Sequence, residues 1–159
     1  MAAYGVPEAD EGLLSWSWAR SRLVSSRNYW LVTASKAGRP HSMPVWGAWM
    51  ADDVFFVSCD GQARKARNMR ENPAVVVTAD DTVEVVSVEG VATEIEVTDI
   101  EQLRHYLVPL VDKYEEFPSV DQVLEFFSSN AAFVVRPERA FAIIERPEEF
   151  GPSATKWVW

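Results

Sequence analysis

Short β-rich runs, separated by turn signals and joined mostly as neighbours, fill the middle and end of this chain. Residues 28–35 (NYWLVTAS) are rich in aromatic and β-branched side chains and read as a strand. Lys36-Ala37-Gly38-Arg39 supplies a turn, with glycine for the tight position. Residues 40–50 then read as the returning strand of a hairpin. Pro40 and Pro44 cannot donate ladder hydrogen bonds, so an edge, a bulge or an irregular ladder is expected there. After a turn at Asp52-Asp53, residues 54–58 form a short apolar run suited to a buried strand. Residues 74–79 and 83–95 make a further pair around Asp80-Asp81. The alternation of the second changes phase near Val85-Val86, which predicts a bulge or bend. Residues 131–136 and 140–145 read as two more strands around a turn at Pro137-Glu138.

Helical periodicity is confined to four places. Residues 13–26 place Leu14, Trp18, Arg22 and Ser25 on one face, with Leu13 and Trp16 beside it. Residues 62–71 lie between Asp60-Gly61 and the stop signal Asn72-Pro73. Thr98 and Glu101 form a capping box for a helix to about Tyr114, and Ser119 with Gln122 repeats the signature for a second helix. Residues 1–12 read as a flexible tail, and 13–159 as a single domain. The closing segment reads as a tail that holds Pro147, Gly151 and Pro152 and ends on Lys156-Trp157-Val158-Trp159. Hairpins without regular βαβ alternation predict a mainly β (α+β) fold: an antiparallel sheet closed into a barrel, with helices packed outside.

The 159 residues suit one domain. A domain of that size buries roughly 68–70% of its unfolded surface, so no staple is needed. A net charge of −9 makes the chain a poor general ligand for nucleic acid or anionic lipid. No apolar run approaches a membrane span. Cys59 is the single cysteine, so no internal disulfide is expected. The acidic start has no basic n-region, and a cytoplasmic location is the expectation. Tryptophan is unusually frequent, with seven residues, and serves either as core and interface or as a wall for a planar ligand.

Charge looks chemical in one place. Arg64, Lys65, Arg67 and Arg70 are four of only fifteen basic residues, set against twenty-four carboxylates. Arg64 and Lys65 fall in the first turn of their predicted helix, where the macrodipole already disfavours cations. The same two cations and the free N–H groups of that turn would make a strong anion site. The bland alternative is a solvated basic face with surface counterions. Elsewhere the chemistry is sparse. His41 and His105 have no metal-ligand spacing around them, so no metal is expected. Cys59 lies beside the anion site without an evident base and reads as a passive thiol. Glu115-Glu116 reads as a surface turn.

The segments GRPHSMPVWGAWMADDVFFVS, GQARKARNMRENPAVVV and EVVSVEGVATEI resemble the pyridoxamine 5′-phosphate oxidase-like superfamily, and specifically the actinobacterial branch that includes reductases dependent on the deazaflavin coenzyme F420. The likeness covers about residues 13–95, and ATKWVW extends it to the C-terminus. It implies a split antiparallel β-barrel of the FMN-binding type and a homodimer with cofactor sites at the interface. Arg64 and Lys65 would hold the cofactor phosphate, with Ser58 at the strand end and Asn68 on the same helix. Met43, Pro44, Val45 and Trp46 would run along the flavin ring, and Trp157 would approach from the tail, from the partner chain. Trp46, Trp49 and Trp157 would wall the substrate cleft. The activity implied is hydride transfer between F420 and a small unsaturated or electrophilic substrate. FMN as cofactor of an oxidase or flavin reductase is the alternative, followed by a non-catalytic carrier and a haem-binding barrel. No catalytic side chain is assigned, because such cofactors carry the chemistry themselves. Two departures stand out: Ala63 where many relatives have Ser, and Lys156 where many have Arg.

Overall fold

A computed structural model describes residues 13–117, 119–127 and 129–159; the predicted tail over residues 1–12 lies outside them. Strand β1 (Tyr29–Ala34) pairs with β2 (Pro40–Val45) across the Gly38 turn. Gly38 has φ 77°, the left-handed conformation the turn needs. Then follow β3 (Ala48–Trp49), β4 (Phe55–Cys59), β5 (Ala74–Ala79), β6 (Glu84–Ile95), β7 (Ala131–Ile144) and β8 (Thr155–Val158). All pairings are antiparallel, in the order β2-β1-β5-β6-β7-β4-β3, with β8 added to β7. The sheet curls into an α+β split barrel, as the hairpin order implies.

The strands expected from the sequence need correction. The strand expected over 40–50 is two strands, because the chain turns at Trp46-Gly47. A Cβ on Gly47 would lie 2.3 Å from the Phe55 ring and 2.7 Å from the Phe56 carbonyl oxygen, so only glycine fits that corner. The two strands expected over 131–145 are one, β7. Its irregularity is a bulge: Arg139 faces Glu89 and Pro137 faces Gly90, leaving Glu138 as the extra residue. A proline tolerates that site because a bulge frees it from donating to the ladder. The bend therefore sits at Gly90 and not at Val85-Val86; Val86, Val88, Gly90 and Ala92 alternate inward without a phase change. The C-terminal tail carries α5 (Phe150–Ser153) and β8.

Helix α1 (Trp16–Ser25) is N-capped by Ser15 and buries Ala19 and Leu23, one step round from the face expected from Trp18 and Arg22. Helix α2 is Arg64–Glu71. Helix α3 (Ile100–Lys113) is capped by Asp99, which accepts the Gln102 N–H at 3.0 Å, rather than by Thr98. The Ser119–Gln122 cap of α4 (Val120–Phe127) is as expected.

Two hydrophobic cores share the sheet. The barrel interior gathers Tyr29, Leu31, Phe55, Val57, Val77, Val88 and Phe133, with α1 and α2 contributing Leu23 and Met69. The second core lies on the other face of β3, β4 and β7. There Phe56 and Val134 meet Leu103, Leu107, Tyr114 and Val123 of the α3–α4 region. Strand β4 feeds both cores by strict alternation, which is why its run is nearly all apolar. Among the described residues no helix is long and apolar enough to cross a membrane.

Candidate functional site

The turn from β4 into α2 is built by Asp60. Its carboxylate accepts the Gln62 N–H at 2.7 Å and its carbonyl accepts the Ala63 N–H at 2.9 Å. Ala63 occupies the N-cap and has no side-chain acceptor, so the first turn of α2 lacks a side-chain cap. On the buried face, Ala66 and Met69 enter the barrel core, and Asn68, 4% exposed, donates to Thr33 Oγ1 at 2.9 Å. Burial of that face leaves Arg64 and Arg67 exposed and Lys65 half-buried. Arg70 is bound by Glu94, at 2.5 and 2.7 Å, and by the Gly61 carbonyl. Among the described residues Arg64, Lys65 and Arg67 have no hydrogen bond or ion pair through their side chains, and neither do the scattered Lys36, Arg39, Arg136 and Lys156, whereas Arg20, Arg22, Arg27, Arg104, Arg139 and Arg146 each hold a carboxylate; only on α2 do three unpaired cations fall together in sequence. Uncompensated cations and uncapped N–H groups meet at this helix start, the combination that an anion would require.

His41, on the strand that leads to Met43, lies within electrostatic reach of Arg64 and Lys65. It lies opposite Thr33 on β2, and Thr33 is the residue that anchors Asn68. Its Nδ1 is covered and has no hydrogen-bond partner among the described residues. Desolvation, and then the charges of Arg64 and Lys65, lower its pKa. Cys59 is buried, and burial raises its pKa against the opposing charges of Lys65 and Arg70, which favours the thiol form. Among the described residues no cluster of His, Cys, Asp and Glu could hold a metal.

Among the described residues strand β2 ends the sheet, with no further strand on its outer edge. Along it Met43 and Pro44 are exposed, and Trp46 just beyond is 44% exposed; Val45 points into the barrel core, so only its backbone is available outside. Ser58 donates to the Ala131 carbonyl at 3.1 Å, which leaves its oxygen free to accept. Trp157 packs within its own chain, edge-on to Trp16 at 5.4 Å. Trp49 is committed to the core, and its indole N–H bonds Asp53 at 3.1 Å.

The Trp46-Gly47 corner is held by two residues at the C-terminal end of α3, where the sequence marked only the end of a helix. Tyr114 accepts the Gly47 N–H at 3.0 Å and stacks on Trp46 with centroids 4.9 Å apart. Lys113 Nζ donates to the Gly47 carbonyl at 3.0 Å and to Tyr29 Oη at 2.7 Å, and burial lowers its pKa to about 8. Below this corner opens a cavity of about 770 Å³, reaching from Trp46 to Ser58 and Asp60 and roofed by α3 and α4.

The family model described as pyridoxamine 5′-phosphate oxidase matches residues 19–143. The chain belongs to this family. No curated protein sequence matches it. Among solved structures, a conserved hypothetical protein from Mycobacterium tuberculosis is 21% identical, with TM-score 0.72 over 89% of this chain and 91% of that one. A heme storage protein, HutZ, from Vibrio cholerae is 19% identical, with TM-score 0.63 over 82% and 95% of the two chains. A protein described as an F420 reductase is 24% identical, with TM-score 0.57 over 76% and 94%. At these identities the likeness is one of fold, and it agrees with the split barrel read from the hairpins.

Proposed function

We propose that this pyridoxamine 5′-phosphate oxidase family member is an F420-dependent oxidoreductase that works as a homodimer. The observation that carries the reading is the unpaired Arg64 and Lys65 at the uncapped start of α2. They fit a phosphate-bearing cofactor through two charged side chains and the N–H groups of one helical turn. Ala63 offers no hydroxyl, so the grip depends on charge more than on neutral hydrogen bonds, which suits a weakly held, exchangeable cofactor such as F420 better than a resident FMN. The open edge of β2, with Met43 and Pro44 outside it and Trp46 at its end, would lie along the ring. When bound, the reduced deazaflavin would supply a hydride for a small electrophilic substrate. The chain's own part is to bind, orient and exclude water. The exposed Trp30 and Met43 on the outer hairpin support a subunit interface there.

The test is titration of the protein with F420, FMN and haem, followed by absorbance and fluorescence. F420 is expected to bind. Arg64→Ala with Lys65→Ala, removing two charge-assisted contacts, is expected to weaken it at least about a hundredfold while the far-UV spectrum stays unchanged. Unchanged affinity in that variant would refute the assigned grip. Saturable binding of haem alone would refute the redox reading.

A further inference from the structure

The cavity beneath the Trp46 corner is not accounted for by a phosphate grip. About 770 Å³ is the size of a drug-like ligand pocket. Its walls include Trp46, Leu110, Phe117 and Phe127, three of them aromatic. One face of Trp46 is covered by Tyr114, stacked within 13° of parallel, and Phe117 stands edge-on to both Trp46 and Phe127. The tryptophan is thus fixed in orientation by the Lys113–Tyr114 clamp on Gly47 while remaining 44% exposed. A held indole with aromatic neighbours at right angles is a surface that selects flat rings. At the β4 end, Ser58, Asp60 and Asn130 give the pocket its hydrogen-bonding side. Among the described residues that line it none is basic, and Asp60 contributes a carboxylate.

We infer that this cavity is the substrate pocket, and that it takes a flat aromatic or heteroaromatic molecule that is neutral or cationic and discriminates against carboxylates. The pocket adjoins the proposed cofactor grip, since Ser58–Asp60 lead directly into α2; calling its ligand a substrate rests on the redox reading, but the pocket's selectivity does not. An anion placed there would lose its hydration beside the Asp60 carboxylate, with no cation among the described wall residues to compensate. A neutral ring loses only apolar hydration, and a cation gains both Asp60 and the ring faces.

The test uses three probes of one shape on the cofactor-free protein: naphthalene-2-methanol, 2-(aminomethyl)naphthalene and 2-naphthoate. Binding is measured by calorimetry at pH 7 in about 0.15 M salt, which screens Lys65 and Arg70, the two cations outside the wall whose charges reach Cys59. The alcohol and the amine are expected to bind, and the carboxylate at least tenfold more weakly. Leu110→Trp, which fills the cavity, is expected to weaken the alcohol at least tenfold without changing F420 affinity. Should that variant fail to fold, Phe117→Ala provides the same check by removing a wall. Asp60→Asn is expected to narrow the gap between amine and carboxylate. Equal affinity for all three probes, or binding untouched by the cavity variants, overturns the inference. Failure of F420 to bind while the probes behave as expected would sink the redox reading and leave the pocket standing.

Discussion

Tyr114→Phe is the most informative single perturbation of the Trp46 corner, because it removes one oxygen and keeps the ring. The side chain is fully buried. Its hydroxyl has one proton to give and two lone pairs to receive with. The proton lies between the Arg27 carbonyl at 2.5 Å and the Gly47 carbonyl at 3.1 Å, and the oxygen accepts the Gly47 N–H at 3.0 Å. In the variant the Gly47 carbonyl keeps Lys113 Nζ, and Arg27, at the surface, can turn its carbonyl to water. The loss is therefore concentrated in the buried Gly47 N–H, left without an acceptor. Such a group costs about 1–3 kcal/mol. A central value of about 2 kcal/mol corresponds to a fall in Tm of about 4–8 °C for a domain of this size. Urea unfolding followed by far-UV circular dichroism should show a lower midpoint at constant slope. Tyr114→Leu should lose more, by about 0.5–1.5 kcal/mol for the missing ring pair with Trp46 alone. If Tyr114→Phe lies within about 0.5 kcal/mol of the parent, the hydroxyl does not secure the corner, and the positional argument for Trp46 fails with it.

Three further outcomes follow from the same geometry. Gly90→Ala would set a Cβ 2.3 Å from the Arg136 carbonyl oxygen, a backbone atom, and should cost at least about 1–3 kcal/mol in chemical unfolding. Asp53, at φ 58°, holds the indole N–H groups of Trp16 and Trp49 and the Arg20 guanidinium; Asp53→Ala should destabilise more than Asp53→Asn in thermal melts, because Asn tolerates that φ and retains an acceptor. Hydrogen bonds from Arg146 and Arg22 hold the Glu84 carboxyl below the usual carboxylate range. Its contribution is present above the unfolded carboxylate pKa and disappears as pH falls through the folded value, so the stability gap between parent and Glu84→Gln should be open at pH 7 and close below about pH 4.

The hairpin order was legible because alternation and turn chemistry are local signals. The same locality explains the errors. Nothing adjacent to Pro137 distinguishes a turn from a bulge; the difference lies in Gly90, which yields space on a strand almost fifty residues earlier. Strand β8 is four residues long and is held by β7, so its own sequence barely announces it. In the site, the basic residues of α2 could be singled out because charge contrast is visible along the chain. Which of them are free was not, since Arg70 finds its carboxylate on β6. The role of His41 depends on a strand pairing that brings it across from Thr33, and that of Lys113 and Tyr114 on a helix end meeting the Gly47 backbone.

The position of β7 also governs the order in which the molecule can assemble. Strand β4 lies between β3, a two-residue strand, and β7, and its ladder runs from Phe55 opposite Val135 to Cys59 opposite Ala131. At about 5–20 residues per second, the roughly 75 residues that separate these partners take about 4–15 seconds to synthesise. Through that interval FFVSC can complete neither its ladder nor its two hydrophobic contacts. Pairings so distant in sequence are slow to close even in the finished chain. Folding of this barrel should therefore wait on the arrival of residues 131–135, and β4 is the segment most exposed to misassociation until then.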